Sequence, residues 1–264
     1  MTNTYNQAGG RSEQPTMTEY LSATPMLNFD DRAIADLVTS RGWSRLATHE
    51  RIGAIYVYVR DEIEFGYNAD DNVPASTVLA DGFGQCNTKS TLLMALLRAA
   101  GVPCRFHAAT IHKSLQRGVV RGIWYRLSPE EILHSWVEVQ IGDQWIRLEG
   151  VILDKNYLDG LRALVPDPDG PFLGCAVGTE SLLDPPIDWK GAHTEIQMTG
   201  VNGDLGIFDE PDTFYRAHGT NLTGVKALVY RYLTRHLMNR RVGEIRSGSG
   251  RWHRQRAGID GNAN

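Results

Sequence analysis

The segment 132–151 constrains the fold most, because its apolar and polar residues specify a β-hairpin in one register. Gly142 and Asp143 form a two-residue turn with glycine first, which favours a type II′ turn between antiparallel strands. Pairing across this turn sorts apolar from polar side chains, and a slip of one residue would exchange the two faces. The predicted pairs are Val139 with Ile146, Val137 with Leu148, Gln140 with Trp145, Glu138 with Arg147, Trp136 with Glu149, and His134 with Val151.

The polar face of this hairpin predicts an acid–base pair. Glu149 is diagonal to His134, at a separation that long side chains can bridge. A carboxylate there would accept a proton from one imidazole nitrogen, fix the tautomer and favour the imidazolium. Glu138 shares the face, but Arg147 is its nearer partner. Trp136 is expected to shield the site from water.

A cysteine stands where the glycine-containing loop "DGFGQC" meets a helical pattern. The helix is indicated by apolar residues at helical spacing and by a glycine at its end: Leu92, Leu93, Leu96, Leu97, Ala100 and Gly101. The helix dipole and a nearby imidazolium would both lower the pKa of Cys86. Backbone N–H groups of the first helical turn would stabilise an oxyanion beside it. Cys86, His134 and a carboxylate therefore form a complete nucleophilic site, if the hairpin faces the start of the helix.

The order of the predicted elements indicates an α+β fold. Residues 30–43 and 48–63 carry apolar side chains at helical spacing, and a third helix begins at Cys86. A strand pattern follows in residues 104–111, and the hairpin supplies two more strands. Helices that precede antiparallel strands are typical of α+β proteins, in contrast to alternating βαβ units.

Changes in composition predict the boundaries along the chain. Residues 152–212 are rich in Pro, Gly and Asp, so we expect an irregular segment that covers the cleft. Residues 222–237 predict a long closing helix. A single catalytic domain is expected over 18–245, between disordered tails at 1–17 and 246–264, the second of which is basic. The apolar residues that indicate the closing helix are Leu222, Val225, Val229, Tyr232, Leu233 and Leu237.

The motifs around Cys86 and the hairpin resemble those of transglutaminase-like cysteine enzymes of the papain-like superfamily, in particular bacterial members. "GQC", followed by a helix that ends in "LLRAAGVPCR", resembles the nucleophile helix of the family. "HSWVEVQIGDQWIRLE" resembles its histidine strand and the strand that carries the acidic residue. The resemblance is strongest over residues 50–150. It implies a papain-like or transglutaminase-core fold, with the nucleophile helix packed on an antiparallel sheet.

Matched residue by residue, the resemblance implies three catalytic roles. Cys86 is the nucleophile, His134 the general acid and base, and Glu149 the orienting carboxylate. The family usually has Asp at the position of Glu149, and the extra methylene lengthens the reach of the side chain. Asp154 is therefore the first alternative for the third member, and Glu138 is the next.

Overall composition excludes several other classes of protein. A net charge of −4 gives no basic field for nucleic acid, although arginines concentrate near the C-terminus, either as a patch for an acidic partner or as a solvated helix end. Three cysteines without a C-x-x-C pattern argue against a disulfide framework and favour a reducing compartment. No signal-peptide pattern and no apolar run of roughly 20 residues is present, so a cytoplasmic protein without membrane attachment is expected. His107 and His112 lack close zinc-ligand spacing, and neither a metal nor a cofactor is expected.

The sequence therefore predicts a cysteine-dependent enzyme for acyl transfer or hydrolysis at an amide or peptide-like bond, through a thioester on Cys86. Its substrate would be a peptide, a protein or a small-molecule amide or acyl compound, with an amine as a possible acceptor. The alternative is a binding module that keeps the fold without the chemistry, and Glu149 in place of Asp favours that alternative. The pattern leaves the oligomeric state open.

Overall fold

The structure is a computed structural model that describes residues 18–249. The predicted tail at 1–17, and the part of the C-terminal tail beyond residue 249, lie outside the described residues. The helices are α1 (Arg32–Arg41), α2 (Thr48–Val57), α3 (Ala75–Asp81), α4 (Cys86–Ala99), α5 (Gly122–Leu127), α6 (Lys155–Leu164), α7 (Pro211–His218), α8 (Gly224–Val229) and α9 (Arg235–Arg246). The strands are β1 (Glu64–Phe65), β2 (Phe83–Gly84), β3 (Cys104–His112), β4 (Glu131–Ile141), β5 (Gln144–Arg147), β6 (Phe172–Gly174), β7 (Val177–Thr179) and β8 (Val201–Phe208).

A four-stranded antiparallel sheet in the order β5-β4-β3-β8 forms the centre of the fold. The first helices precede it in the chain, so the predicted α+β class is confirmed. Two short parallel strands, β1 and β2, and the hairpin of β6 and β7 lie outside this sheet. The predicted helix at 48–63 is α2 extended by a π-helical turn over Tyr58–Glu62.

The hairpin of β4 and β5 has the predicted register, but β5 is shorter than expected. Glu138 pairs with Arg147, and the left-handed φ of 59° at Gly142 supports the predicted turn. Leu148 still donates to the Val137 carbonyl of β4 at 2.8 Å, and it also forms a parallel bridge with Thr194, whose N–H donates to the Arg147 carbonyl at 2.9 Å. Beyond Leu148 the chain leaves β4. Glu149 therefore begins a 3₁₀ turn, and the predicted pairs that involve Glu149 and Val151 do not form.

Helix α4 is the most deeply buried element, since every residue from Cys86 to Arg98 is buried. Its apolar side chains pack against β4 and the preceding helices in the main hydrophobic core. The core also contains a lysine: Nζ of Lys89 donates to the carbonyl oxygens of Arg60 at 3.0 Å and Ile63 at 2.8 Å. Burial lowers the pKa of Lys89 to about 7. These bonds attach α4 to the end of the π-helical turn.

The segment 152–212 differs from the irregular cover that the sequence predicts. It contains α6, the β6–β7 hairpin and β8, which is an edge strand of the main sheet. The sequence does not predict β8 as a strand, because its glycines lower the intrinsic strand propensity of the segment. Gly203 is required by the pairing with β3: a Cβ at this position would lie 2.5 Å from Oγ1 of Thr110.

The predicted C-terminal helix is confirmed and extends from Gly224 to Arg246, with a π-helical turn over Tyr230–Thr234 between α8 and α9. The first half exposes apolar side chains, with Val225 75% and Tyr232 72% exposed. The second half is packed into the core. None of the helices within 18–249 has the length and apolar character needed to cross a lipid bilayer.

Arg246 shows that the packed chain extends past the predicted boundary at residue 245. It ends α9, and its Nη2 donates to Asp154 at 2.8 Å and to the Phe65 carbonyl at 2.8 Å. The boundary shifts because a single arginine side chain binds two distant parts of the chain. Such a long-range contact leaves no periodic pattern in the local sequence.

We predict that Gly160→Ala destabilises the protein, because α6 and α9 touch at this glycine. A Cβ there would lie 2.1 Å from the carbonyl oxygen of Ile245 and 2.5 Å from that of Arg246, and backbone atoms cannot rotate away. We expect a loss of about 1–3 kcal/mol in the free energy of unfolding, measured by urea denaturation.

The matched control is Gly243→Ala on α9, where a Cβ would meet no heavy atom within 4 Å. It should stabilise the protein by about 0.4–1 kcal/mol, because alanine restricts the unfolded chain and favours the helix. Equal effects of the two substitutions would contradict the close contact between α6 and α9.

Candidate active site

Cys86 is the first residue of α4, and the local sequence explains why the helix begins there. Gln85 is extended, with φ −99° and ψ −176°, and its N–H donates to Oγ1 of Thr88 at 3.0 Å. Gly84 is required by this turn, since a Cβ would lie 2.7 Å from the same oxygen and 2.9 Å from Cγ of Lys89. In the "GQC" sequence, Gly84 thus allows the side chains of Thr88 and Lys89 to lie close to the backbone, Gln85 caps the helix, and Cys86 is its first residue.

Polar side chains attach the first turns of α4 to β4. Oγ of Ser135 donates to Oδ1 of Asn87 at 2.9 Å, and Nδ2 of Asn87 donates to the Leu133 carbonyl at 3.2 Å. Oγ of Ser90 donates to the Ser135 carbonyl at 3.3 Å. The backbone N–H groups of Asn87 and Ser135 lie close enough to the sulfur of Cys86 to lower its pKa. The sulfur therefore lies next to the residue that follows His134.

His134 lies on the other face of β4 from the body of α4. Successive side chains in a strand point to opposite faces, and Ser135 is the one that contacts α4. The His134 ring instead neighbours Trp136, with ring centroids 5.7 Å apart, and Trp136 is buried. The expectation that His134 faces the end of the helix at Cys86 remains a prediction. Cys86 reaches this region from the helix end, next to the backbone of Ser135.

Glu149 is the carboxylate next to His134. Its Oε1 lies 3.3 Å from Nε2 of the ring, and both side chains are fully buried. The ring is not aligned for a hydrogen bond, and neither of its nitrogens has a hydrogen-bond partner among the described residues. The carboxylate is held by the N–H groups of Ile196 and Gln197, the latter at 3.0 and 3.1 Å. The extra methylene of Glu149 is accommodated by this loop.

Asp154, the first alternative for the third catalytic residue, has hydrogen-bond partners away from His134. Its carboxylate accepts hydrogen bonds from the N–H of Phe65 at 2.8 Å, the N–H of Tyr157 at 2.8 Å, and the guanidinium of Arg246. Burial opposes ionisation, but the Arg246 guanidinium and these donors together lower the pKa of Asp154. Asp154 caps α6 and anchors α9.

Glu138, the second alternative, is likewise paired elsewhere. Oε2 accepts from Nε of Arg105 at 2.8 Å, and Oε1 lies 2.9 Å from Nδ1 of His107. Against the effect of burial, these two groups hold the pKa of Glu138 at about 2. The sequence prediction had paired Glu138 with Arg147, which lies opposite it in the register but ion-pairs with Glu195 at 2.6 Å.

Burial dominates the chemistry of the thiol. It raises the pKa of Cys86 to about 12, and the nearby Asp71 carboxylate raises it further, while the N–H groups of Asn87 and Ser135 lower it. The expectation of a lowered pKa is wrong for this conformation, because desolvation outweighs the helix end. At neutral pH a thiol with so high a pKa is protonated, so it would need a base to act as a nucleophile.

A cavity of about 350 Å³ opens next to Cys86. It will be called the Cys86 cavity. Its walls are mainly apolar. They come from α5, the start of β4, α8 and the residue Leu222 before α8: Trp124, Leu127, Ile132, Leu222, Val225 and Val229. Asp71, Gln85, Asn87 and Gln197 contribute polar groups to the same lining. His134 and Glu149 are not part of it, so Cys86 is the member of the predicted triad that a bound molecule would meet.

Sequence reasoning missed the residues that position the site. Ile196 and Gln197 follow the acid by more than 45 residues, and no local pattern links them to it. Asn87 and Ser90 did carry a signal, because they belong to a run of five polar residues, Asn87 to Thr91, at the start of a helix whose following residues are mainly apolar. Within residues 18–249, no group of three or more His, Cys, Asp or Glu side chains is arranged to hold a metal ion.

Comparisons with known proteins point to one family. Residues 32–150 match the sequence model of the transglutaminase-like superfamily (Transglut_core). Among curated proteins, none matches the chain. One similar solved structure is "a Putative Cysteine Protease from Cytophaga hutchinsonii", with 12% identity, a TM-score of 0.44, and coverage of 76% of this chain. The match spans half of that protein's chain. A structural overlap this low says nothing about reaction or substrate.

We predict that alkylation of Cys86 by iodoacetamide is slow at neutral pH and accelerates about tenfold per pH unit between pH 7 and 9. A raised thiol pKa keeps the neutral form below that pKa, so the thiolate fraction grows as the pH rises toward 12. Peptide mass spectrometry separates Cys86 from Cys104 and Cys175, which are free, buried cysteines. A plateau in the Cys86 rate below pH 8 would contradict the neutral thiol and indicate a resting thiolate–imidazolium pair.

Proposed function

We propose that this chain, which belongs to the transglutaminase-like superfamily through its residues 32–150, is a cysteine-dependent enzyme that cleaves or exchanges an amide or peptide-like bond. Cys86 forms a thioester with the acyl part of the substrate. His134 moves the protons, and Glu149 orients the imidazole. Water or an amine then receives the acyl group.

The observation that carries this proposal is the state of His134. A buried ring nitrogen without a hydrogen-bond partner costs about 1–3 kcal/mol, and both ring nitrogens of His134 are in this condition. A catalytic role would explain why the protein keeps such a group. Glu149 at 3.3 Å from Nε2 leaves Nδ1 as the nitrogen available for a proton from the thiol.

The reaction begins with attack of sulfur on the carbonyl carbon. Because the thiol is neutral at rest, His134 removes its proton as the carbon–sulfur bond forms. Backbone N–H groups of the first turn of α4 lack intrahelical acceptors and stabilise the negative oxygen of the tetrahedral intermediate. Collapse of this intermediate breaks the carbon–nitrogen bond, and the amine leaves with the proton from His134. The acyl group remains on Cys86 as a thioester.

The second half of the reaction repeats these steps with a new nucleophile. His134 removes a proton from water or from an amine, which attacks the thioester and releases Cys86. Glu149 stabilises the imidazolium in both halves, and the N–H groups of Ile196 and Gln197 keep its carboxylate in place. The acceptor that reaches the thioester decides between hydrolysis and transfer, and it must enter through the largely apolar Cys86 cavity.

A non-catalytic binding module is the second candidate function. It is favoured by the raised pKa of Cys86 and by a His134 ring that is not aligned with Glu149. The two candidates differ in covalent chemistry. Incubation with activated acyl esters should add one acyl mass to the enzyme and none to Cys86→Ser. If no acyl ester leaves a mass on the protein, the binding module is the better account.

We predict that His134→Ala slows formation of the acyl-enzyme from 4-nitrophenyl esters by about 10²-fold or more, since the neutral thiol loses its base. The burst of nitrophenolate release measures this step. The loss should shrink as the pH rises, because hydroxide then generates the thiolate directly. An equal loss at pH 7 and pH 10 would contradict the role of His134 as the base.

We also predict that Glu149→Gln lowers turnover by about 10²-fold or more with little change in melting temperature. The amide keeps one acceptor for the backbone N–H groups but cannot stabilise the imidazolium. Glu138→Gln is the matched control, because Glu138 lies on the same strand as His134 and pairs with Arg105 and His107. It should leave turnover close to wild type. Loss of activity in Asp154→Asn with full activity in Glu149→Gln would overturn the assignment.

A further inference from the structure

The Cys86 cavity contains one charged group with no cationic partner. Asp71 accepts hydrogen bonds from Nε2 of Gln85 at 3.0 Å and from Nδ2 of Asn221 at 2.8 Å, both of which are neutral amides. Among residues 18–249, no cationic side chain lies within ion-pair distance of its carboxylate. The adjacent Asp70 differs, since it pairs with Arg231 at 3.2 Å.

We propose that the Cys86 cavity binds molecules in which a bulky apolar group is joined to a cationic amine, and that Asp71 is the anchor of that amine. The inference rests on the proposed function, because it names the substrate class of the same site. It goes further by assigning a specificity residue that the catalytic steps do not use.

The apolar walls define the first half of this ligand. A volume of about 350 Å³ is within the range of roughly 300–1,000 Å³ that small-molecule sites occupy. Trp124, Leu127 and Val225 line it, and Leu127 is 62% and Val225 75% exposed. Exposed apolar side chains around a concave site are typical of ligand binding. An aromatic or branched aliphatic group would cover them and remove them from water.

The polar groups define the second half, because they offer acceptors where a ligand would need donors. Asp71 carries a negative charge, and it acts on Cys86 strongly enough to raise the pKa of the thiol. Gln197 lines the same cavity, and its buried Oε1 has no hydrogen-bond partner among the described residues. Its Nε2 is already bound to the Ala176 carbonyl. A carboxylate and a free amide oxygen both favour an ammonium group over a carboxylate.

The charged side chains around Asp71 do not cancel its preference for a cationic group. Arg231 does not line the cavity and is paired with Asp70. Among the described residues that line the cavity, the exposed Lys226 is the only cationic side chain. The donors nearest to Asp71, on Gln85 and Asn221, orient its carboxylate without neutralising it. An anionic ligand would meet Asp71 next to the thiol and be repelled. The amine can belong to the acyl donor, as in an apolar aminoacyl group, or to the acceptor that resolves the thioester.

Binding to full-length Cys86→Ser protein tests the inference without any chemistry. Three probes that share a phenylethyl group are compared by calorimetry at low salt: 2-phenylethylamine, 2-phenylethanol and 3-phenylpropanoate. We expect the amine to bind at least about tenfold more tightly than the alcohol, and the carboxylate to bind most weakly. Equal affinities, or no binding of any probe at millimolar concentration, would overturn the inference.

The variant Asp71→Asn assigns the preference to one side chain. Asparagine keeps one of the two acceptor oxygens that serve Gln85 and Asn221, and a thermal melt shows that the variant is folded. In the folded variant the amine should bind only as well as the alcohol. Asp70→Asn is the matched control, because that carboxylate is already paired with Arg231, and the amine preference should persist. If the preference survives in Asp71→Asn, the proposed anchor is wrong.

Two arms with catalytically active protein distinguish the source of the amine. If it belongs to the donor, a phenylalanyl thioester should acylate Cys86 faster than the 3-phenylpropanoyl thioester, and Asp71→Asn should remove the difference. If it belongs to the acceptor, 2-phenylethylamine should resolve the acyl-enzyme faster than 2-phenylethanol, with the same dependence on Asp71. If Asp71→Asn leaves the rates unchanged in both arms, the inference is wrong. Amine binding without any acyl-enzyme would retain it and reject the proposed function instead.

Discussion

The hydrogen bonds between the first turn of α4 and the middle of β4 determine the position of the site. Asn87 and Ser135 bind each other across the helix–sheet seam, where both side chains are buried. In a low-dielectric interior such a pair tolerates little displacement, because a broken bond leaves two polar groups without partners. This contact fixes the depth of α4 and places the sulfur of Cys86 near the N–H of Ser135. His134, the neighbour of Ser135 in β4, points away from the body of α4 because successive side chains of a strand alternate.

A consequence of this arrangement is a site governed by desolvation. The thiol and the carboxylate of Glu149 are both removed from water, yet the protein treats them differently. Glu149 accepts hydrogen bonds from the N–H groups of Ile196 and Gln197. For Cys86 the nearby N–H groups offset only part of the effect of burial, and the pKa of the thiol rises to about 12. The site therefore combines a buried carboxylate, a buried imidazole and a thiol whose pKa is raised by burial.

The Cys86 cavity explains a feature of the C-terminal helix that packing alone does not. The first half of that helix keeps apolar side chains such as Val225 in contact with solvent, while its second half, around Val242, is embedded in the core. The exposed part forms one wall of the cavity instead of covering the hydrophobic core. Arg246 and Asp154 hold the far end of the helix. One helix thus provides both an end that is anchored by Arg246 and an apolar wall of the Cys86 cavity.

The sequence by itself determined the features that depend on neighbouring residues. The start of α4 at Cys86, the register of Glu138 opposite Arg147 and the α+β order all follow from periodicity, capping and turn chemistry, which act over a few residues. It also suggested Glu149 as the acid next to His134. Only the tertiary structure decided how the carboxylate is held and how Asp154 is used, because their partners lie some 45 to 90 positions away along the chain. The pKa of Cys86 belongs to the same class, since burial is a property of the whole fold and no local pattern encodes it.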